Sequence, residues 1–477
     1  MFRYSKVPGA GVFAACLLIA GCVSPMDRLE SAVEVERSVR RSWIADAESP
    51  RSAAAAEGRD EAERTEIHAE STLGECLRYA LERNRGVEAA YLGWLAALEK
   101  SPQVTALPDP RLSYGYFLDE VETRVGPQQH RMALSQAFPW FGKLALRGQI
   151  AEAEAEAEYA RFQGAVLELA YRVRTAFNEL YYLRGEIDLT RENLKLLEQF
   201  ERIARAKYRV GAGSHPDVVR FQIELGKLED RLRRLEDKRG PLAARFNAVL
   251  DRPVDAEAPW PDSIADPDTE PDVAALASAL AARNPELAAL QHTIERHRLA
   301  ADLARKDAYP DITLQLDYIV TDEAMDPSIP ESGDDPLIIG ASISVPLWRE
   351  KYDAGVREAL KRRLAAAAGR KETENRLRAE LQLATFEHAD ARRKVELYRD
   401  GLVPKARESL DASISAYQTA SVGFLDLLDA ERLLLEMQLT LRRARADAAN
   451  AMARIEQLVG VDLPDQAALT DAPKEVQ

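Results

Sequence analysis

Two carboxylates stand three residues apart in the segment AYQTASVGFLDLLDAE, at residues 416–431. The spacing i, i+3 puts Asp426 and Asp429 on the same side of a helix. If three copies of the chain surround a common axis, these side chains form rings that attract cations to a constriction. The alternative is structural, because acidic residues near the start of a helix favour its dipole and cap its N-terminus. The spacing by itself favours the structural role.

No other group of side chains has the spacing of a catalytic or metal site. The chain contains six His, six Met and three Cys, without an HxxxH motif or a Cys/His cluster. It also has no nucleophile elbow and no phosphate-binding loop. A net charge of −15 disfavours nucleic acid as a partner. We therefore expect no catalytic residue, no metal site, no cofactor and no nucleic-acid partner.

The N-terminus has the composition of an export signal. Arg3 and Lys6 precede a short apolar run that ends in LIAGC at Cys22. This ending resembles the bacterial lipoprotein processing motif, which implies a signal peptide at 1–21, lipidation of Cys22 and, because Val23 rather than Asp follows, the outer membrane. The alternative is an ordinary signal in which Cys22 has no role. The polar, Ala- and Glu-rich stretch 22–70 is interpreted as a periplasmic leader.

The sequence repeats itself at an offset that grows from about 200 to 209 residues. These pairs carry the repeat: Arg83-Asn84 and Arg283-Asn284, Pro108-Asp109 and Pro310-Asp311, Pro139 and Pro346, Tyr208 and Tyr417, Asp217 and Asp426. Small steps in the offset indicate one duplicated unit with loop insertions. The repeats are predicted at 71–250 and 271–461. A Pro- and Asp-rich linker at 251–270 separates them, and a tail at 462–477 follows.

Each repeat contains one predicted strand hairpin, at 110–140 and 311–348. Apolar and polar residues alternate along both strands of the second hairpin, and the alternation predicts a last strand that extends to Leu347. Strands of about 10 residues tilted by about 45° rise about 24 Å, which is close to the apolar band of an outer membrane barrel. The alternation is also compatible with a half-buried sheet of a soluble protein.

Long helices follow the hairpins. Residues 143–208 and 349–417 are rich in Ala, Leu, Glu and Arg, and a kink is expected at 401–404, where Gly401 and Pro404 occur. About 65 residues make on the order of 100 Å of helix, which requires coiled-coil partners along its length. Four strands cannot close a barrel, so several chains must share one, and a trimer supplies twelve strands.

This arrangement resembles the TolC-like outer membrane efflux proteins. The resemblance rests on the duplicated strand and helix plan, the turns YRVGAGSHPDVV and YQTASVGFLDLLDAE, the terminal AMARIEQLVG and the lipoprotein start. It implies a mainly α fold with a membrane β-barrel part. In that fold, long antiparallel coiled-coil helices form an α-barrel tunnel, and two β-hairpins per chain contribute four strands to a trimeric twelve-stranded barrel. The implied partners are two further copies of the chain, a periplasmic adaptor, an inner-membrane pump and outer membrane lipid. The segment SQAFPWFGKLALRGQ is similar to heavy-metal efflux components of the resistance-nodulation-division class.

The resemblance also assigns roles to the two turns, which we call the first tip (208–217) and the second tip (417–426). It implies a pore constriction at Asp426 and Asp429, whereas Asp217 is followed by Arg220 instead of a second acid and is interpreted as a structural cap. The residues implied in tip closure or adaptor docking are Tyr208, Gly211, Gly213, Ser214, Asp217, Tyr417, Ser421 and Gly423. Hydroxyl hydrogen bonds and plain helix packing both remain possible roles for Tyr208 and Tyr417. A basic residue that helps to lock some family members is replaced here by Val422, so the closing network does not transfer intact.

Three functions are compatible with the sequence. The favoured one is a passive efflux channel for metal cations or small toxic compounds, lipid-anchored in the outer membrane with a long periplasmic extension. The second is an outer membrane duct of the same fold that serves type I protein secretion. The third is a periplasmic coiled-coil lipoprotein without a pore.

Overall fold

The computed structural model describes residues 66–264, 272–326, 328–419 and 421–460. The predicted signal peptide, Cys22 and all but the last residues of the leader at 22–70 lie outside these ranges. The same holds for residues 265–270 of the linker and for the tail at 462–477.

From residue 66 onward, where the structure describes it, the first half of the chain contains three short helices, a hairpin and two long helices. The short helices are α1 (Leu73–Arg83), α2 (Arg85–Leu98) and α3 (Lys100–Thr105). Strands β1 (Arg111–Thr123) and β2 (Gly126–Phe138) follow, and then helices α4 (Lys143–Arg209) and α5 (His215–Val249). Helix α4 has 67 residues and no Pro, so it runs on the order of 100 Å without interruption.

The second half repeats this order with small changes. Its elements are α6 (Val273–Arg283), α7 (Pro285–Lys306), β3 (Ile312–Thr321), β4 (Leu337–Ile343), α8 (Arg349–Leu397), a π-helical turn (Tyr398–Leu402), α9 (Val403–Gln418) and α10 (Phe424–Val459). The π-helical turn interrupts the long helix next to the predicted kink, directly before Pro404 at the start of α9. None of the helices in the described ranges has an apolar stretch of the length needed to cross a membrane.

The repeated Arg-Asn pair has the same structural role in both halves. Asn84 caps the start of α2, and its side-chain amide donates a hydrogen bond to the Val249 carbonyl at 2.9 Å. Asn284 caps α7 and donates to the Leu458 carbonyl, also at 2.9 Å. Each Asn therefore ties the first helices of its repeat to the end of the last helix, which explains why the pair occurs twice.

The four strands form one antiparallel sheet in the order β1-β2-β3-β4. The hairpins are joined because β2 pairs with β3, with Ser135 opposite Gln315 and Leu134 opposite Leu316. Gly126 is required at the turn of the first hairpin, since its φ is 130° and a Cβ there would lie 1.8 Å from the Asp322 carbonyl oxygen. Strands β1 and β4 are the edges of the sheet.

The two faces of the sheet differ in polarity. The register places exposed apolar side chains of all four strands on one side, here called the apolar sheet face: Leu112, Tyr114, Met132, Leu134, Leu316, Tyr318, Leu337 and Ile339. The opposite side, the polar sheet face, carries mostly small or polar residues, among them Ser113, Gly115, Arg131, Ser135, Gln315, Asp317, Gly340 and Ser342. On it, Arg131 donates to Asp317 at 2.7 Å. The apolar groups therefore face outward without covering from this chain.

Strand β4 is shorter than its alternating pattern predicts. The pattern extended to Leu347, but the strand ends at Ile343, and that prediction was wrong at its end. Pro346 has no N–H to donate to a neighbouring strand and fixes its own φ. The chain then turns, with the Leu347 amide donating to the Val345 carbonyl at 3.0 Å.

A buried ion pair joins the two repeats where the sheet meets the helices. The Lys143 side chain is 4% exposed, and its Nζ donates to Asp311 Oδ1 at 2.8 Å and to the Tyr309 carbonyl at 3.1 Å. The same Asp311 oxygen accepts from the Trp140 amide at 2.8 Å, and the Trp140 ring stacks on Tyr309. The start of α4 is thereby fixed to the start of β3.

Replacing Asp311 with Ala should destabilise the protein by about 2 kcal/mol, because a buried ammonium loses its counter-ion. The cost is moderate because Asp311 itself is 42% exposed, so water already weakens the pair. Lys143→Met should cost less, since it removes the charge as well. The matched control is Asp109→Ala at the repeat-equivalent, exposed position. Denaturant unfolding in detergent measures all three variants. Equal stabilities of the Asp311 and Asp109 variants would contradict the assigned role of this pair.

The helices pack around α4 and α8. Helix α7 lies against both of these long helices, and α10 also contacts both. Residues 251–264 form no helix or strand, yet they are docked: the Trp260 amide donates to the Ala69 carbonyl at 2.8 Å, and the Arg239 guanidinium lies 4.3 Å from the centre of the Trp260 ring.

Candidate functional site at the two helix tips

The first tip reverses the chain between α4 and α5. Gly211 has a φ of 75°, a conformation that residues with a Cβ adopt at a cost. The Ala212 amide donates to the Lys207 carbonyl at 2.9 Å, which closes the end of α4. Gly213 is also restricted, because a Cβ there would lie 3.0 Å from Lys207 Cβ.

The second tip uses the same closing hydrogen bond. The Ser421 amide donates to the Ala416 carbonyl at 2.9 Å, and both residues lie 209 positions after their counterparts in the first tip. The Ser421 hydroxyl is also 2.9 Å from the Thr419 hydroxyl. The two turns therefore share their backbone design as well as their sequence pattern.

The two tips differ in how the following helix is capped. Ser214 caps α5, with its hydroxyl oxygen accepting from the Asp217 amide at 3.4 Å. The interpretation of Asp217 as the cap was therefore wrong, and Asp217 lies in the first turn of α5 instead. Gly423 takes this position before α10 and has no side chain to offer. The Asp426 carboxylate accepts from the Gly423 amide instead, at 2.9 Å. Asp426 therefore has the capping role that was the structural alternative for this residue.

Asp426 and Asp429 are both exposed on the same stretch of α10. The hydrogen bond to Gly423 engages one oxygen of Asp426, Oδ2. A carboxylate can accept several hydrogen bonds, so this cap does not prevent Asp426 from also facing an aqueous passage. Whether these residues line a pore depends on neighbouring copies and remains a proposal.

The repeated tyrosines have different surroundings. Tyr417 is 7% exposed and belongs to the apolar cluster of the tips, where Phe221 and Phe424 meet edge to face at 4.4 Å. Tyr208 is 47% exposed, and its ring lies 5.4 Å from that of His215. Packing accounts for Tyr417 within one chain, while Tyr208 is available to other partners. Val422 is half-buried against the same cluster.

The first tip also contacts the second directly. Lys207 Nζ lies 4.4 Å from the centre of the Tyr417 ring and donates to the Tyr417 carbonyl. Burial raises the pKa of the Tyr417 hydroxyl, and the nearby Asp217 carboxylate adds to the rise. Lys207 and Asp217, both from the first repeat, therefore surround a residue of the second.

The family model for outer membrane efflux proteins matches residues 77–240 and 276–461, which is most of the chain. The chain belongs to the outer membrane efflux protein family. Members of this family are outer membrane channels and not enzymes. The predicted resemblance to outer membrane efflux proteins and the expectation of a non-enzymatic protein are therefore confirmed.

Curated relatives of this outer membrane efflux protein are distant. The cobalt-zinc-cadmium resistance protein CzcC of Cupriavidus metallidurans is 20% identical over 366 residues, which cover 75% of this chain and 82% of CzcC. Nodulation protein T of Rhizobium leguminosarum bv. trifolii is 24% identical over 384 residues, which cover 75% of this chain and 78% of that protein.

Solved structures support the fold of this efflux protein. The channel CusC superposes with a TM-score of 0.70 at 14% identity, covering 85% of this chain and 95% of CusC. The similarity to such structures confirms the prediction of a mainly helical fold with a β part. Closure of the strands of three copies into one twelve-stranded barrel stays a proposal.

One buried carboxyl near the second tip was not predicted from the sequence. Glu431 on α10 of this efflux protein is 3% exposed. Burial raises the pKa of the Glu431 carboxyl to about 7, although Asn193 and Arg432 oppose the rise. Both amide atoms of Asn193 on α4 are buried and make no hydrogen bond of normal geometry to any described residue. The counterpart of Glu431 in the first repeat is Gln222, an uncharged side chain of similar shape.

A signal for Glu431 does exist in the sequence of the efflux protein. Leu427, Leu428 and Leu435 form the apolar stripe of α10, and Glu431 occupies a stripe position between them. No group of His, Cys, Asp or Glu within the described ranges has the geometry of a metal site.

Proposed function

We propose that this protein is the passive outer membrane duct of a tripartite efflux system, which conducts substrates from an inner-membrane pump and a periplasmic adaptor to the outside. The observation that carries the proposal is the apolar sheet face, which runs across all four strands and is exposed in a chain of this family. In water, exposed apolar area of this extent is unfavourable, whereas lipid accepts it.

Three copies are needed to complete the duct. One chain supplies four strands with two free edges, and twelve strands fall within the range of known membrane barrels. The polar sheet face would then line the water-filled interior. Helices α4 and α8 continue from the sheet for a distance that would carry the tunnel through the periplasm.

The tips are the proposed contact with the adaptor and the proposed constriction. Asp426 and Asp429 of three copies would form acidic rings that select cations, and the exposed Tyr208 would face the adaptor or a neighbouring copy. Docking or closure is also proposed for Gly211, Gly213, Ser214, Asp217, Tyr417, Ser421 and Gly423. Lipidation of Cys22 would anchor the mature chain in the outer membrane.

The proposed substrates are metal cations or small toxic compounds, supplied by a pump of the resistance-nodulation-division class. Support comes from the similarity to CzcC, which is described as a cobalt-zinc-cadmium resistance protein. The segment at Pro139 adds to it through its similarity to heavy-metal efflux components. The pump would choose the metal, since acidic rings attract cations without distinguishing them strongly.

Two experiments test this function. The purified protein should form cation-selective channels in planar bilayers, and deletion of the gene should raise cellular cobalt, zinc or cadmium until the wild-type gene is restored. A drug panel on the same strain separates metal from drug export. Absence of channels, together with strands accessible to water-soluble labels, would support the poreless scaffold instead. Loss of a secreted protein with normal metal content would support the secretion duct.

A further inference from the structure

We propose that the free edge of β4 pairs antiparallel with β1 of a second copy of this chain, with Ser342 opposite Ser113 and Ile343 opposite Leu112. The inference rests on the proposed trimeric duct and goes further, because it assigns the register of the seam between copies. It is derived from the pairing of the two repeats inside one chain.

The seam inside the chain is a template for the seam between chains. Strand β2 is the second strand of the first repeat, and it pairs with β3, the first strand of the second repeat. Strand β4 is the second strand of the second repeat and has no partner on its outer side. The strand equivalent to β3 is β1, whose outer side is also free. In a closed ring of identical copies, β4 of one copy meets β1 of the next.

The repeat offsets convert one register into the other. Each residue of β4 corresponds to the residue of β2 that lies 207 positions earlier, as Pro346 corresponds to Pro139. Each residue of β3 corresponds to the residue of β1 that lies 202 positions earlier, as Pro310 corresponds to Pro108. Inside the chain, Ser135 lies opposite Gln315 and Gln136 opposite Leu314. When each β2 residue is replaced by its counterpart in β4, and each β3 residue by its counterpart in β1, these pairs become Ser342 with Ser113 and Ile343 with Leu112.

The polarity of the sheet provides an independent check on this register. Leu112 and Ile343 both lie on the apolar sheet face, while Ser113 and Ser342 both lie on the polar sheet face. The transposed register therefore continues both faces across the seam. A slip by one residue would place Leu112 beside Ser342 and mix the two faces along the whole strand.

The helices point to the same seam. Helix α7 lies between α4 and α8, and a Cβ at Gly164 of α4 would be 3.8 Å from the Pro285 ring of α7. Its repeat counterpart α2 packs mainly on α4 and also touches α3, but it makes no extensive contact with α8 of its own chain, so it can contact α8 of another copy.

The matching surface on α8 is uncovered in the single chain. Ala157 and Ala160 of α4 are 1% and 3% exposed. Their counterparts 207 residues later are Leu364, which is 62% exposed, and Ala367, which is also exposed. Helix α2 of the second copy would cover this surface in the same way that α7 covers α4.

One contact is not reproduced at the seam between copies. The residues equivalent to Lys143 and Asp311 are Glu350 and Asp109, two acids that cannot form an ion pair. The pairing of β4 with β1 must therefore provide the register that Lys143 helps to fix inside the chain.

Paired cysteines in the full-length protein, oxidised mildly in its native membrane, test the register. Ser113→Cys with Ser342→Cys should give covalent dimers and trimers on denaturing gels. Ser113→Cys with Gly340→Cys, or with Ser344→Cys, tests a slip of two residues. Because such a slip moves the partner by about 7 Å, beyond the usual reach of a disulfide, we expect at least roughly fivefold less cross-linking from these pairs.

The chain supplies its own positive control. Ser135→Cys with Gln315→Cys is the equivalent pair inside one chain and should form an intrachain disulfide under the same conditions. The wild-type protein is the negative control, since Cys76 is buried. Stronger cross-linking of a slipped pair, or none between chains while the control pair reacts, would overturn the proposal. Planar-bilayer conductance of the wild type separates that outcome from failure of the proposed function.

Discussion

Replacing Asp426 and Asp429 together with Ala is expected to raise single-channel conductance and to weaken block by multivalent cations. If the acidic rings form, the double substitution removes up to six carboxylates that surround a blocking ion at the constriction. A loss of about 1.4 kcal/mol in cation binding corresponds to about tenfold weaker block, and we expect an effect of at least that order. Planar-bilayer recordings with added multivalent cations give both quantities.

Single substitutions separate the two roles of Asp426. Asp426→Asn retains an oxygen that can accept from the Gly423 amide, so the cap of α10 is kept while the charge is removed. Asp429→Asn removes the charge of a carboxylate that does not form the cap of α10, since Asp426 forms it. Asp217→Asn, at the position equivalent to Asp426 in the first tip, is the matched control. Unchanged block in the double variant would exclude a pore role for both aspartates.

Replacing Glu431 with Gln is expected to stabilise the protein at pH 8 by about 3 kcal/mol and to change little at pH 4.5. The folded-state pKa of about 7 lies above the ordinary value of 4.5. Between these values the folded protein retains a proton that the unfolded chain has released. The wild type should therefore lose stability as pH rises from 4.5 to 7, by about 1.4 kcal/mol for each unit of pKa shift. The Gln variant should lack this loss.

Thermal unfolding in detergent at pH 4.5 and pH 8, at fixed protein concentration, measures the effect. Glu436→Gln serves as the matched control because Glu436 is an exposed carboxyl on the same helix. A similar pH dependence of stability in the wild type and the Glu431 variant would refute the assignment of a titrating buried carboxyl.

The repeated features of this fold were predictable from the sequence because they are local. Alternating residues predicted the strands, and the turn YRVGAGSHPDVV marked the first tip. The end of β4 was missed because Val345 and Leu347 continue the alternation past the point where Pro346 prevents pairing. Contacts between distant residues, such as Lys143 with Asp311, follow no local pattern and required the structure.

The candidate site was predictable in part for the same reason. The spacing of Asp426 and Asp429 is visible in the sequence, but the cap that Asp426 provides depends on Gly423 lacking a side chain. Glu431 occupies a position on the apolar stripe of α10, but the sequence does not show how deeply its carboxyl is buried. Only its burial against α4 changes its chemistry.

The π-helical turn at Tyr398–Leu402 makes the two halves of the molecule mechanically unequal. From Pro139 to Tyr208 the first repeat uses two fewer residues than the second uses from Pro346 to Tyr417. The π-helical turn lies inside this longer stretch, and such turns are among the usual places where a long helix bends. Helix α4 therefore behaves as a single continuous rod, whereas α9 and the acidic second tip are attached through a joint. A force applied at the tips would bend the second repeat first.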